Sequence, residues 1–306
     1  MEKKNIYTYG SVIIAMLFWG MSFVWTAIVL KYYHPVTIIF LRLIISTGFL
    51  FIGIKIFGRI EKIEKKDYKL FLLSALFNPF LYFIGESYGI KLTSPTISAV
   101  VIATIPLFTP VIAYFTIREK LTLLNILGLA VSFTGVFIML VNNRFSFDAP
   151  PLGIAFLLFA VATAIGYSVY LKKLSKSYSP FFIIATQNLI GTFFFLPFFV
   201  VFELNGFLQV KPNFELISSI IALAVFCSSL AFVAYTIATR EIGVSKTNVF
   251  TNLIPVFTGI FSYFIISEQL NSQKIMGIVI VVTGLFLSQI KSRISFKLNS
   301  KENSDK

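Results

Sequence analysis

Charge is what this chain has least of. Charged side chains make up 13% of its 306 residues, against about a quarter in a soluble domain, whose surface must be hydrated. Hydrophobic residues supply 57%, and the mean hydropathy is +0.87. So little charge cannot coat a water-exposed surface, which leaves lipid as the solvent. There is one cysteine, Cys227. That excludes an internal disulfide, a Cys-based metal site and a redox pair, and its apolar surroundings read as packing. A lone histidine, His34 beside Pro35 at a helix junction, makes no zinc centre. No GxxxxGK[ST] sequence occurs, so direct ATP coupling within the chain is not expected. No cofactor or metal is expected either.

What is abundant is apolar length. A helix needs about 20 apolar residues to cross a bilayer, and such runs fall near 10–30, 36–57, 69–90, 95–117 and 121–141. Five more follow near 151–171, 180–202, 214–237, 244–266 and 272–290. The runs are continuous rather than alternating, which excludes a strand barrel. No small-residue cleavage site follows the first run, so it reads as a span and not as a removed signal peptide. The 36 Phe residues suit lipid-facing surfaces. The expected fold is therefore an all-α integral membrane protein of ten transmembrane helices.

The net charge of +13 does not mark a nucleic-acid partner, because the basic residues sit in short loops and tails. Twenty Lys and Arg fall on the side of the two termini, and Lys31, Lys91, Arg144, Lys211 and Lys274 on the other. That bias places both termini in the cytoplasm, in the cell (inner) membrane. The cluster from Arg59 to Lys69 reads as a solvated cytoplasmic loop near anionic lipid.

Shifted by 149 residues, the chain matches itself. IPLFTPVIAYFTIREKL, ending at Leu121, meets IPVFTGIFSYFIISEQL, ending at Leu270. Gly128 then meets Gly277, and Thr134–Gly135 meets Thr283–Gly284; 14 of the 33 positions from Ile105 to Phe137 are identical. Shared hydrophobicity does not explain a match that includes Pro, Glu, Gly and Thr across a whole loop. The chain divides into repeats at 10–141 and 151–290, with a basic cytoplasmic tail at 291–306. Each repeat holds five spans, an odd number, so the second enters the membrane inverted. Inverted repeats with a site at their interface suit alternating access.

These residues resemble the EamA-type ten-span members of the drug/metabolite transporter superfamily. The carriers are Leu17-Phe18-Trp19-Gly20, Pro35 with Arg42, Thr93-Ser94, Pro106, Glu119-Lys120-Leu121, Gly128 and Gly135. Pro255, Glu268, Gly277 and Gly284 are the second-copy counterparts. The resemblance covers nearly the whole chain. It implies a carrier that exports amino acids, metabolites or toxic compounds, often by proton or substrate exchange.

Ionisable groups inside a span are functional candidates by default, and two stand clearly within spans: Arg42 and Glu86. Asn78, Tyr82 and Glu86, at i, i+4 and i+8, give the third span one polar stripe. Glu86 is a candidate for a substrate amine or a coupling proton, and Arg42 for a carboxylate. The structural alternative is a fixed Arg42–Glu86 pair that locks two helices. Trp19, Ser22 and Thr26 share a face of the first span, matched in the sixth by Thr163 and Tyr167. Gln187 falls where Arg42 sits in the first copy, and Asn248 and Asn252 follow helical spacing before Pro255. Pro106 and Pro255 remove a backbone hydrogen bond at matching places, as a hinge or a fixed bend. The four repeated glycines read as close helix packing, with a dimer contact as the sharper alternative. The partners expected are a small molecule such as an amino acid or another amine, protons and the bilayer, for a monomer or homodimer. The competing classes are a flippase for a lipid-linked intermediate, a channel-like facilitator and a lipid-acting enzyme. The last lacks the clustered acids and histidines it would need.

Overall fold

The computed structural model describes residues 2–58, 61–108, 123–140 and 149–289. Without water to bond to, an apolar backbone must satisfy its own N–H and C=O groups, and helices do so. Among the described residues there is no strand. Apart from a short helix, Val244–Val249, that leads into the ninth, ten helices follow in order: α1 (Glu2–Val29), α2 (Pro35–Phe57), α3 (Lys65–Leu92), α4 (Pro95–Phe108), α5 (Leu123–Leu140), α6 (Pro151–Leu174), α7 (Pro180–Gln209), α8 (Phe214–Ile242), α9 (Phe250–Ile266) and α10 (Ser272–Gln289). Six of them, α1, α2, α3, α6, α7 and α8, are long and apolar enough to cross a bilayer, and the other four are shorter apolar helices. Glu119 and the tail at 291–306 lie outside the described residues.

The soluble pattern is turned inside out. Phe193, Phe202, Phe214 and Phe264 are exposed on the outer flanks, whereas Arg42, Asn78, Glu86, Gln187, Asn188 and Asn252 are buried. Several helices open on proline at the first turn, where a missing N–H costs nothing. Ser94 accepts from the Ile97 N–H ahead of Pro95, and Ser179 from the Phe182 N–H ahead of Pro180.

Two long helices are interrupted in their middles. In α3 the stretch Leu76–Leu81 winds as a π-helix, with Asn78 extended at φ −148°, ψ 120°. Pro79 is the cause: it has no N–H to donate and pushes the preceding residue out of the helical region. In α8 the π-helical stretch is Leu223–Ala231, and the Ser229 hydroxyl donates to the Ala224 carbonyl five residues back (2.8 Å). The 149-residue shift carries 76–81 onto 225–230, inside that second stretch. The proline pair behaves alike. A turn at Ala103–Thr104 precedes Pro106, with Leu107 N–H donating to the Thr104 carbonyl (2.9 Å), and a 3₁₀ turn at Phe250–Leu253 precedes Pro255.

Packing repeats the same correspondence. Helix α3 lies on α6 as α8 lies on α1, and α4 touches α6 as α9 touches α1. Helices five places apart also pack antiparallel, α2 on α7 and α5 on α10. In the α5–α10 pair a Cβ on Gly135 would stand 2.9 Å from the Gly277 carbonyl oxygen, and one on Gly284 2.8 Å from that of Gly128. The shift turns the first contact into the second, and only glycine lets the backbones come so near.

The α2–α7 pair is fastened at both ends by carboxylates. At one end the Thr37 N–H and hydroxyl donate to Glu203 Oε2 (2.6 and 2.7 Å), filling bonds that the start of α2 leaves open. At the other end the Ser179 N–H donates to Glu61 Oε1 (3.0 Å) ahead of α7. Buried Asp67 accepts from the Tyr178 hydroxyl (2.8 Å), which itself accepts from the Glu64 N–H (3.1 Å). The Arg59–Lys69 cluster is therefore not solvated throughout, as the sequence suggests: the Glu61 and Asp67 carboxylates and the Glu64 N–H tie that loop to the α6–α7 connection.

Candidate functional site

Burying an arginine and a glutamate in this setting is costly unless each is paired and hydrogen-bonded. Arg42, from the second turn of α2, is 1% exposed, and Glu86, from the second half of α3, is 4% exposed. Arg42 Nη1 and Glu86 Oε2 stand 3.8 Å apart. Each group is also held elsewhere. Arg42 Nε donates to Ser228 Oγ (2.8 Å), and its guanidinium carbon lies 4.1 Å from the centre of the Phe83 ring, a cation–π contact. Glu86 Oε1 accepts from the Tyr82 hydroxyl (3.0 Å). Nη1 and Oε2 themselves have no hydrogen-bond partner.

The partner of Arg42 is held in turn. Asn188 Nδ2 donates to the Ser228 carbonyl (3.0 Å) and to Ser46 Oγ (2.7 Å), and Ser46 bonds Ser229 (2.6 Å). The π-helical stretch of α8 supplies both serines, and widened turns of this kind recur at functional sites. A buried polar network from α2, α7 and α8 thus fixes the guanidinium from behind.

In front of the pair lies a cavity of about 70 Å³, room for several waters. Of the residues expected from sequence, Trp19, Ser22, Arg42, Asn78, Tyr82, Glu86, Tyr167 and Asn248 line it. The stripe Asn78–Tyr82–Glu86 does converge there, but not along one regular helix, because Pro79 breaks α3 between its first and second members. Trp19 packs its ring against Phe232 (4.9 Å between centres) and Tyr235 (5.0 Å), leaving its Nε1–H without a partner. The Ser22 hydroxyl donates to the Trp19 carbonyl (2.7 Å).

The remaining candidates sit behind this lining. Gln187 accepts from the Tyr167 hydroxyl (3.1 Å) and donates to Ser74. Thr163 donates to the Ala160 carbonyl (2.8 Å). Thr26 and Asn252 are each 1% exposed, and their side-chain polar atoms have no hydrogen bond. Pro106 and Pro255 are buried just beyond the backbone irregularities in α4 and α9. Glu268 is paired at the helix end, accepting from Thr96 (2.8 Å) and Lys274 (3.3 Å).

Sequence reasoning missed Tyr235, Phe83, Thr251, Ser168 and Ser228. Tyr235 lines the cavity and donates to Asn248 Oδ1 (2.5 Å). One signal could have found it: it is the counterpart of Glu86 under the 149-residue shift. Phe83 offered none among 36 phenylalanines. Among the described residues no group of three His, Cys, Asp or Glu side chains could hold a metal ion.

The arrangement can receive a small polar molecule. One hydrogen-bond donor and one acceptor of opposite charge stand free side by side, with aromatic walls around them. The sequence profile of the EamA-like transporter family matches the chain twice, over residues 7–141 and 151–289. The protein named uncharacterized transporter YetK of Bacillus subtilis is 27% identical over 234 residues, 76% of this chain and 71% of its own. A protein named uncharacterized transporter from Methanothermobacter thermautotrophicus is 26% identical over 300 residues, 93% and 86% of the two chains. A solved crystal structure, 16% identical, superposes with a TM-score of 0.68 over 92% of this chain and 96% of that one, which speaks for the fold alone.

Proposed function

Because the chain belongs to the EamA-like transporter family of the drug/metabolite transporter superfamily, we infer that it is a secondary carrier of small zwitterionic metabolites, amino acids above all. It works by alternating access. The observation that carries the reading is the buried Arg42–Glu86 pair in the cavity lining, with Nη1 and Oε2 unbonded. Glu86 takes the substrate amine and Arg42 its carboxylate. Protonating Glu86 alone would strand the arginine charge in an apolar interior, so we assign the acid to substrate rather than to a coupling proton. Export is the direction that the resemblance implies.

Ten spans in two inverted repeats, with both termini in the cytoplasm of a multi-pass cell-membrane protein, complete the proposal. The six long and four shorter helices support it, as do the two family matches and the reciprocal α5–α10 contacts. The cavity is far smaller than the roughly 300–1,000 Å³ of common ligand sites, so loading requires helices to part. The irregular turns ahead of Pro106 and Pro255, and the π-helical stretches of α3 and α8, are where such bending would cost least.

Radiolabelled leucine flux into proteoliposomes, with and without a pH gradient, tests the reading. Saturable flux that Glu86→Ala abolishes is expected. Normal flux by Glu86→Gln with an unchanged pH response would refute the role of Glu86, and turnover that requires ATP or lipid would refute the carrier mechanism.

A further inference from the structure

Among the described residues, Arg42 and Glu86 are the only formally charged side chains that line the cavity. The other polar side chains in the lining, among them Ser22, Asn78, Tyr82, Tyr167, Tyr235 and Asn248, are neutral hydroxyls, amides, phenols and an indole. The unloaded cavity is therefore balanced in charge. We propose that it selects cargo by net charge, accepting molecules with none and rejecting otherwise similar cations and anions. This rests on the cavity being the cargo site.

The physical reason is burial. A cation set on Glu86 would leave Arg42 as an unpaired charge among aromatic rings, and an anion set on Arg42 would strand Glu86. Either outcome carries a desolvation cost that a balanced cargo avoids. The geometry adds a second reason. Ser228 holds Nε from behind, Phe83 covers a face of the guanidinium and Tyr82 occupies Oε1. Nη1 and Oε2, 3.8 Å apart, are left without a hydrogen bond, a donor beside an acceptor. At that separation the pair is too wide for a direct hydrogen bond. An α-amino acid carries its carboxylate and ammonium on one carbon, so it can meet both atoms at once. A singly charged analogue can satisfy only one.

The test reads Trp19, whose ring lines the cavity. The chain has two tryptophans, so the full-length Trp25→Phe protein in detergent reports through Trp19 alone. It is titrated with leucine, with isoamylamine (leucine without its carboxylate) and with 4-methylpentanoate (leucine without its amine). The expected result is leucine binding at least tenfold tighter than either analogue. Glu86→Gln should then prefer 4-methylpentanoate and Arg42→Gln isoamylamine, because each leaves the cavity with a charge to balance. An analogue that binds the unaltered cavity within threefold of leucine overturns the proposal, and so does a Glu86→Gln protein that keeps the original preference. The unaltered cavity decides the matter even if a charge variant fails to fold. No fluorescence response to any of the three probes is a different failure: it overturns the cavity as an amino-acid site, and the selectivity with it.

Discussion

The third helix of each half is interrupted at the same place, yet the two helices put different chemistry into the cavity. Helix α3 breaks at Leu76–Leu81 and then presents Glu86; helix α8 breaks at Leu223–Ala231 and presents Tyr235 at the matching position. Their neighbours differ in the same sense. Helix α2 contributes Arg42, while α7 contributes Gln187, held behind Tyr167. The two halves therefore share their backbone irregularities but not their charge. A shared bend serves packing and movement in both halves, whereas a second buried ion pair would double the desolvation cost. Among the described residues the cavity holds its charge on Arg42 and Glu86 from the first half, and the second half supplies neutral walls and the serines that steady Arg42.

The largest expected effect separates Arg42 from Gln187. Arg42→Met should abolish leucine flux and cost about 3–5 kcal/mol of stability, because Glu86 is left buried and unpaired. Gln187→Leu should cost only about 1–3 kcal/mol, the penalty of leaving the Tyr167 and Ser74 hydroxyls unsatisfied, and keep measurable flux. Thermal unfolding in detergent and flux in proteoliposomes give both readings; equal losses would erase the distinction between the halves.

The second effect asks where the halves are alike. Gly135→Leu and Gly284→Leu should each weaken the α5–α10 contact by about 1–3 kcal/mol, by overpacking a site where backbones nearly touch. Gly48→Ala is the control, since a Cβ there meets nothing within 4 Å. A cost at Gly135 without one at Gly284 would break the reciprocity. The smallest effect compares Tyr82 with Tyr235. Each Tyr→Phe change removes one hydrogen bond, worth about 0.5–1.5 kcal/mol. Only Tyr82→Phe should also raise the KM for leucine, because only Tyr82 bonds Glu86.

Much of this was legible in the chain itself, for reasons particular to its residues. Arg42 and Glu86 stood out because an ionisable side chain in an apolar run must be paired. The shift of 149 residues stood out because it preserves prolines and glycines, which bend or admit backbone at fixed places. Glu203 was invisible. It falls at the end of an apolar run and reads as a loop residue, yet α7 continues to Gln209 and buries it against the start of α2. Thr26 and Asn252 share helical faces with cavity residues in sequence but end up outside the lining, since a face becomes a wall only where its neighbours leave space.

Sequence alone determined the solvent of this protein, its helices, its doubled pattern and the two charges that lipid will not tolerate apart. These follow from local composition and spacing, which need no knowledge of what packs where. Only the tertiary structure decided that Arg42 leans on a serine from the other half, that Tyr235 joins the cavity, and that two carboxylates fasten α2 to α7 from opposite ends. Those contacts join residues more than a hundred positions apart, and their distances depend on how helices settle against each other rather than on any one helix.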